Sequence, residues 1–212
     1  MIDMDTRLRA ARGIAKTETE ASEEVFQTLK RRGHPDAPPP TASDGWGGIG
    51  EAMVKVYGQV PPYSGLGRPP TIKRALPGWK YLQGIKQRQN GHVVRTSQRV
   101  VSGDEKEVLE LLGGSTASVE RTHLTSRLFN SRLVRKTLGF SKCVEMHRAA
   151  AAWEDLVYTL NRPLKTLRRK VQDDSPRRWL PTTPGMAAGL TDHIWTVKEL
   201  LTTLPTPAIS NT

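Results

Sequence analysis

Asn90-Gly91, set between two runs rich in strand-forming residues, restricts this chain more than any other feature. A two-residue type I′ turn needs positive φ at both central positions, which Asn and Gly adopt at least cost, and its twist matches the strands it joins. Residues 79–88 and 92–102 therefore read as the two arms of a β-hairpin.

Helical periodicity lies on both sides of the hairpin. Ala21, Val25 and Leu29 recur every four residues within 20–32, acids crowd the first turn, and Lys30, Arg31 and Arg32 end it before Gly33. Met1 to Ile14 reads as two short extended pieces around Asp5-Thr6. Pro38-Pro39-Pro40 stiffens the approach to a short strand, Thr41–Asp44, and a helix over 49–57 turns Met53 and Val54 inward. Residues 58–79 are dense in proline and glycine and predict an irregular basic loop. Asp104 caps a helix that runs to Leu112 and stops at Gly113-Gly114. A basic helix follows Ser115-Thr116 and holds Val119, Leu124, Leu128 and Leu133. A longer helix spans about 141–161, and the Pro- and Thr-rich tail from Asp173 holds one weak helical stretch over 192–204.

The charge is concentrated. The chain carries +11 overall, yet residues 121–180 hold 14 basic and 5 acidic side chains, while residues 1–60 and 181–212 are each close to neutral. Such a block suits the phosphates of a nucleic acid, and solvated helix faces are its plainer explanation. A single cysteine, Cys143, excludes a disulfide framework and a Cys-rich zinc site. No apolar run reaches the ~18 residues of a membrane span, and the first residues lack the apolar core of a signal peptide. The expectation is a cytoplasmic protein with no membrane partner.

The sequence has no GxxxxGK[ST] loop, no HExxH pair and no GxSxG elbow. His123 and His147 read as ordinary surface or core histidines, Cys143 as a small buried side chain, and Trp46 and Trp153 as core. Carboxylates remain. Metal-assisted phosphoryl transfer needs two or three of them on rigid elements. Asp3 ends an apolar strand start, Asp44 precedes Gly45-Trp46, and Glu120 opens a basic helix. Alone, Asp44 is also a turn residue and Glu120 a helix-dipole partner, and their sequence separations impose no local geometry.

Longer motifs weight these residues further. Val119-Glu120-Arg121-Thr122-His123-Leu124-Thr125-Ser126-Arg127-Leu128-Phe129-Asn130, then Arg132 to Lys142 with its Arg135-Lys136-Thr137 and Phe140-Ser141-Lys142 strings, resembles the C-terminal catalytic segment of bacterial insertion-sequence transposases. The likeness is to the insertion-sequence-one family of DDE enzymes. Thr41 to Trp46 resembles that family's Asp-Gly-Trp motif, and Ile2 to Leu8 its first-aspartate strand and turn, so the resemblance covers residues 1–170.

The resemblance implies an RNase H-like α/β fold: a mixed sheet flanked by helices, with a β-hairpin insertion and a helical C-terminal part. It places a DDE catalytic domain at 1–170, with a loop and hairpin insertion at 58–103, and a tail at 171–212. Asp3, Asp44 and Glu120 would be the catalytic and metal-binding triad for two Mg²⁺ or Mn²⁺ ions. Arg121, Arg127, Arg132, Arg135, Lys136 and Lys142 would contact double-stranded DNA. Arg127, seven residues after Glu120, falls on nearly the same helical face. The implied activity is metal-dependent cleavage and strand transfer at insertion-element ends, hence transposition and DNA recombination, by an enzyme that is a homo-oligomer when active. Only two residues precede Asp3. The expectation is therefore an N-terminally truncated copy, with a catalytically inactive remnant that only binds DNA as the alternative.

Overall fold

The computed structural model describes residues 1–65, 67–113, 117–134, 136–171 and 178–203. The chain is mixed α/β and divides into two compact units, Met1 with Ala10–Glu120, and Ile2–Arg9 with the residues from Arg121 onward.

In the first unit, α1 (Glu18–Arg32) begins where the Thr17 hydroxyl accepts the Glu20 amide, and ends where Gly33, at φ 154°, returns its N–H to the Leu29 carbonyl. β1 (Thr41–Asp44) leads into α2 (Gly48–Tyr57), the crossover to β2 (Tyr81–Gln89), which runs parallel to β1. β2 then turns back antiparallel into β3 (His92–Ser102). Asn90 and Gly91 take φ of 51° and 80° at that turn, as a type I′ pair must.

The hairpin supplies most of a small mixed three-stranded sheet, and its first strand is the central one, in the order β1-β2-β3. The reason lies in the side chains entering β2. Trp79, Tyr81 and Leu82 are nearly fully buried, and Tyr81 joins Phe26, Leu29, Ala52, Met53 and Tyr57 in the core beneath α1 and α2. Phe26, Tyr57 and Trp79 meet edge to face at 6.4 and 6.3 Å, the geometry that ring quadrupoles favour. α3 (Glu105–Leu112) is capped by Asp104, which accepts the Glu107 amide, and buries Val108 completely.

The second unit holds most of α4 (Ala117–Phe129), a 3₁₀ turn at Ser131–Leu133, and α5 (Val144–Leu156), which runs on into a π-helical turn, Val157–Asn161. A two-stranded ribbon of β4 (Arg169–Lys170) and β5 (Trp179–Leu180) follows, then α6 (Pro184–Ala187) and α7 (Val197–Thr202), the latter opened by a Thr196–Glu199 capping box. α6 packs so closely on the π turn that a Cβ on Gly185 would lie 2.9 Å from the Thr159 carbonyl oxygen.

Several sequence expectations are corrected here. The basic helix ends at Phe129, so Leu133 falls in the following 3₁₀ turn, and Leu124 and Leu128 are 63% and 78% exposed. The α4 side chain that turns inward is Ser126, whose hydroxyl donates to the buried carboxylate of Glu154. Ser126 gives the buried carboxylate a hydrogen bond that a leucine in its place could not. Trp46 and Trp153 are surface residues, and Cys143 is exposed at the N-cap of α5 with its thiol donating to Glu145. The tail helix is confined to Val197–Thr202; Leu204 lies outside the described residues, as do Ser115-Thr116.

Candidate functional site

The segment Ser43-Asp44-Gly45-Trp46-Gly47-Gly48 is a strand-to-helix turn, and its composition explains its shape. β1 ends at Asp44, whose carboxylate accepts the Trp46 amide at 3.3 Å, and α2 begins within three residues. Gly48 is buried against the Trp46 ring, which a Cβ would meet at 2.3 Å.

Below the strand end, a buried polar chain holds the backbone. Gln83 Nε2 donates to Tyr81 Oη at 3.0 Å, Tyr81 Oη lies 2.9 Å from Ser43 Oγ, and Ser43 Oγ donates to the Asp44 carbonyl at 2.8 Å. Arg99 closes the other end, donating to Gln83 Oε1 at 2.6 Å. Such a satisfied network fixes the position of Asp44 far better than an apolar contact does, since each bond restricts direction as well as distance.

Register then places a second carboxylate. Asp44 is paired with Gly84 across the parallel ladder. Side chains along a strand alternate between faces, so Lys86 projects from the same face as Asp44, and no bulge falls between Gly84 and Lys86. The Lys86 ammonium donates to the Glu120 carboxylate. Asp44 and Glu120 are thus associated with one end of the β1–β2 pair, the carboxyl end of parallel strands, where open α/β sheets bind ligands. Both carboxylates are exposed.

Asp3 belongs to the second unit. It follows Ile2, which bridges antiparallel to Arg9, and its carboxylate accepts the amide and the hydroxyl of Thr6 across the turn. Burial alone would raise the Asp3 pKa, but the Thr6 bonds, with the Asp5 and Met4 amides, outweigh it and hold it below the usual aspartate value. Asp3 has a structural task in any event: it closes its own turn.

Of the basic residues, Arg121 and Arg127 are exposed on α4, and Lys136 and Lys142 are exposed beyond it. Arg132 is half-buried and donates to Ser141 Oγ at 2.9 Å. Arg135 lies outside the described residues. Among the described residues, no three His, Cys, Asp or Glu side chains form a group that could hold a metal ion. No described helix is long and apolar enough to cross a membrane.

Sequence reasoning missed Lys86, although strict alternation from Gly84 marks it once the register is known. It also missed the buried cluster of the second unit. There Arg9 Nη1 contacts Glu154 and, at 2.8 Å, Asp155, and the guanidinium lies 3.9 Å from the Tyr158 ring centroid. None of those residues is near Arg9 in the sequence: 145 positions separate it from Glu154 and 146 from Asp155. Compared with protein-family models, with curated proteins and with solved structures, the chain gives no match.

Proposed function

We propose that the chain is a DNA transposase of the insertion-sequence-one type, with an RNase H-like catalytic domain that cleaves phosphodiesters at element ends and transfers the freed strand to a target. The observation that carries this reading is the strand-end pair: Asp44 closes a parallel strand, and on the same face the neighbouring strand presents the lysine that binds Glu120. The motifs quoted above and the basic block of 121–180 supply the substrate class.

A divalent ion fits the donor set in its chemistry, because Mg²⁺ and Mn²⁺ favour carboxylate oxygens and Asp44 and Glu120 offer them at one strand end. Asp3 is the third ligand that the resemblance supplies. Two bound ions would supply activation of the attacking oxygen and stabilisation of the leaving 3′ oxygen in an in-line displacement. The protein's own groups do the rest. The buried Gln83–Tyr81–Ser43 chain holds Asp44 in place, Lys86 holds Glu120 at the strand end, and Arg121, Arg127, Arg132, Arg135, Lys136 and Lys142 bind phosphates and set the register of the duplex.

A second reading, a DNA-binding remnant without phosphoryl transfer, draws on the engagement of Asp3 by Thr6 and of Glu120 by Lys86. One experiment separates the two. Purified chain is incubated with supercoiled plasmid and Mg²⁺ or Mn²⁺, beside Asp44→Asn and Glu120→Gln. Transposase chemistry predicts nicking by the wild type, reduced at least ~100-fold in each variant, since even outer-shell partners of metal ligands cost 10–100-fold. DNA affinity should persist in both. Absent nicking by a folded chain that binds DNA would leave the remnant.

A further inference from the structure

The second unit forms a half-open pocket of about 440 Å³ lined by Phe129, Asn130, Trp153, Glu154, Tyr158 and Arg162, among others. Its polar groups are unevenly satisfied. Glu154 accepts from Arg9 and from Ser126, so its charge is already matched. Asn130 is 8% exposed; its Oδ1 accepts the Arg132 amide, whereas its Nδ2 is buried with no partner. Arg162 Nη1 is likewise buried and unpartnered, although its guanidinium stacks 4.3 Å from the Phe129 ring centroid. Native proteins rarely leave buried donors unmet, and two of them beside one pocket call for an acceptor from water, an ion or a ligand. The π turn that opens beside this cavity is itself a distortion common at functional sites.

We propose that this cavity receives a single unstacked nucleobase from the bound DNA strand. Three features define the occupant. The volume falls in the range of small-ligand sites. Trp153 and the Arg162–Phe129 stack offer flat surfaces for a π system, the means by which proteins hold bases taken out of a helix. Asn130 Nδ2 and Arg162 Nη1 are donors, so the edge presented to them carries acceptors, as the carbonyl edge of thymine does. The basic block of 121–180 holds the phosphates outside.

The inference rests on the reading of DNA as the ligand, but its test involves no cleavage and no metal. The full chain is titrated with fluorescein-labelled oligothymidylate and with an abasic oligonucleotide of the same length, and anisotropy is read in chelator. Wild type should bind oligothymidylate ~10-fold more tightly, the order expected for one base–aromatic stack. Trp153→Ala should abolish that gap. Asn130→Asp, which keeps the oxygen that accepts from Arg132 while removing the donor, should also shrink it several-fold, with abasic binding and circular dichroism unchanged. Equal affinity of the wild type for the two oligonucleotides overturns the proposal, as does a gap that survives both variants. A chain that never nicks plasmid yet shows the gap would lose the transposase chemistry and keep the base pocket.

Discussion

Arg9→Met isolates the energetics of the second unit. Arg9 and Glu154 have side chains only 5% and 8% exposed, and Asp155 is 24% exposed. Methionine keeps much of the apolar stem that packs near Tyr158 but withdraws the positive charge. Glu154 then loses its guanidinium and keeps the Ser126 hydroxyl. Removing one partner of a buried pair costs about 3–5 kcal/mol, because the remaining charge stays desolvated. Asp155 reaches water and adds little. The substitution also removes two buried donors without partners, Arg9 Nε and Nη2, and each such group costs about 1 kcal/mol or more to bury. The net expectation is a loss of about 1–3 kcal/mol.

Adding Glu154→Leu removes the stranded carboxylate as well, so the double variant should return to within about 1 kcal/mol of wild type, a coupling typical of directly contacting charges. Hydrogen exchange of α5 amides, read by mass spectrometry, reports this unit by itself, which a single global melt of a two-unit chain does not. The reasoning is refuted if Arg9→Met changes the opening free energy of α5 by less than about 1 kcal/mol, or if the double variant loses the sum of the two single losses.

Two further outcomes are expected beside the nicking and base-pocket experiments. Gly103 adopts φ 103° and a Cβ there would lie 2.9 Å from the Trp79 carbonyl oxygen and 2.7 Å from Val108 Cγ2, so Gly103→Ala should cost about 1–3 kcal/mol in urea denaturation of the first unit, and an unchanged midpoint would contradict the strain. Asp3 has a folded pKa below its unfolded one, so its contribution to stability is full above the unfolded value near 3.8 and disappears as pH falls through the folded value. The difference in melting temperature between wild type and Asp3→Asn should therefore narrow from pH 7 to strongly acidic solution; a difference independent of pH would show that the Thr6 bonds do not favour the ionised form.

Much of the local structure was legible because its causes are local. Asn90-Gly91, the Asp104 cap and the acid-to-base gradient of α1 act through φ preferences and bonds within four residues, and each element occurs where those signals put it. The candidate site was legible as residue types and motifs, not as a constellation. Asp44 and Glu120 could be named, but nothing in their spacing indicates that Glu120 is bound by Lys86 of the strand next to Asp44. Burial was misread at Trp46 and Trp153, which read as core and lie at the surface. Periodicity identifies an apolar stripe and says nothing of which neighbour needs the opposite face.

The sequence by itself determined the hairpin and its turn, the caps of α1 and α3, the concentration of positive charge and the carboxylates available for chemistry. Tertiary structure decided that the hairpin's first strand would be the middle of the sheet, that Gly84 would face Asp44, and that α4 would turn Ser126 rather than its leucines inward. It also brought Phe129, Asn130, Trp153 and Arg162 around one cavity. The difference is one of range: a turn or cap is settled by the energies of adjacent residues, whereas register and burial depend on groups far apart in the chain whose desolvation must be balanced together.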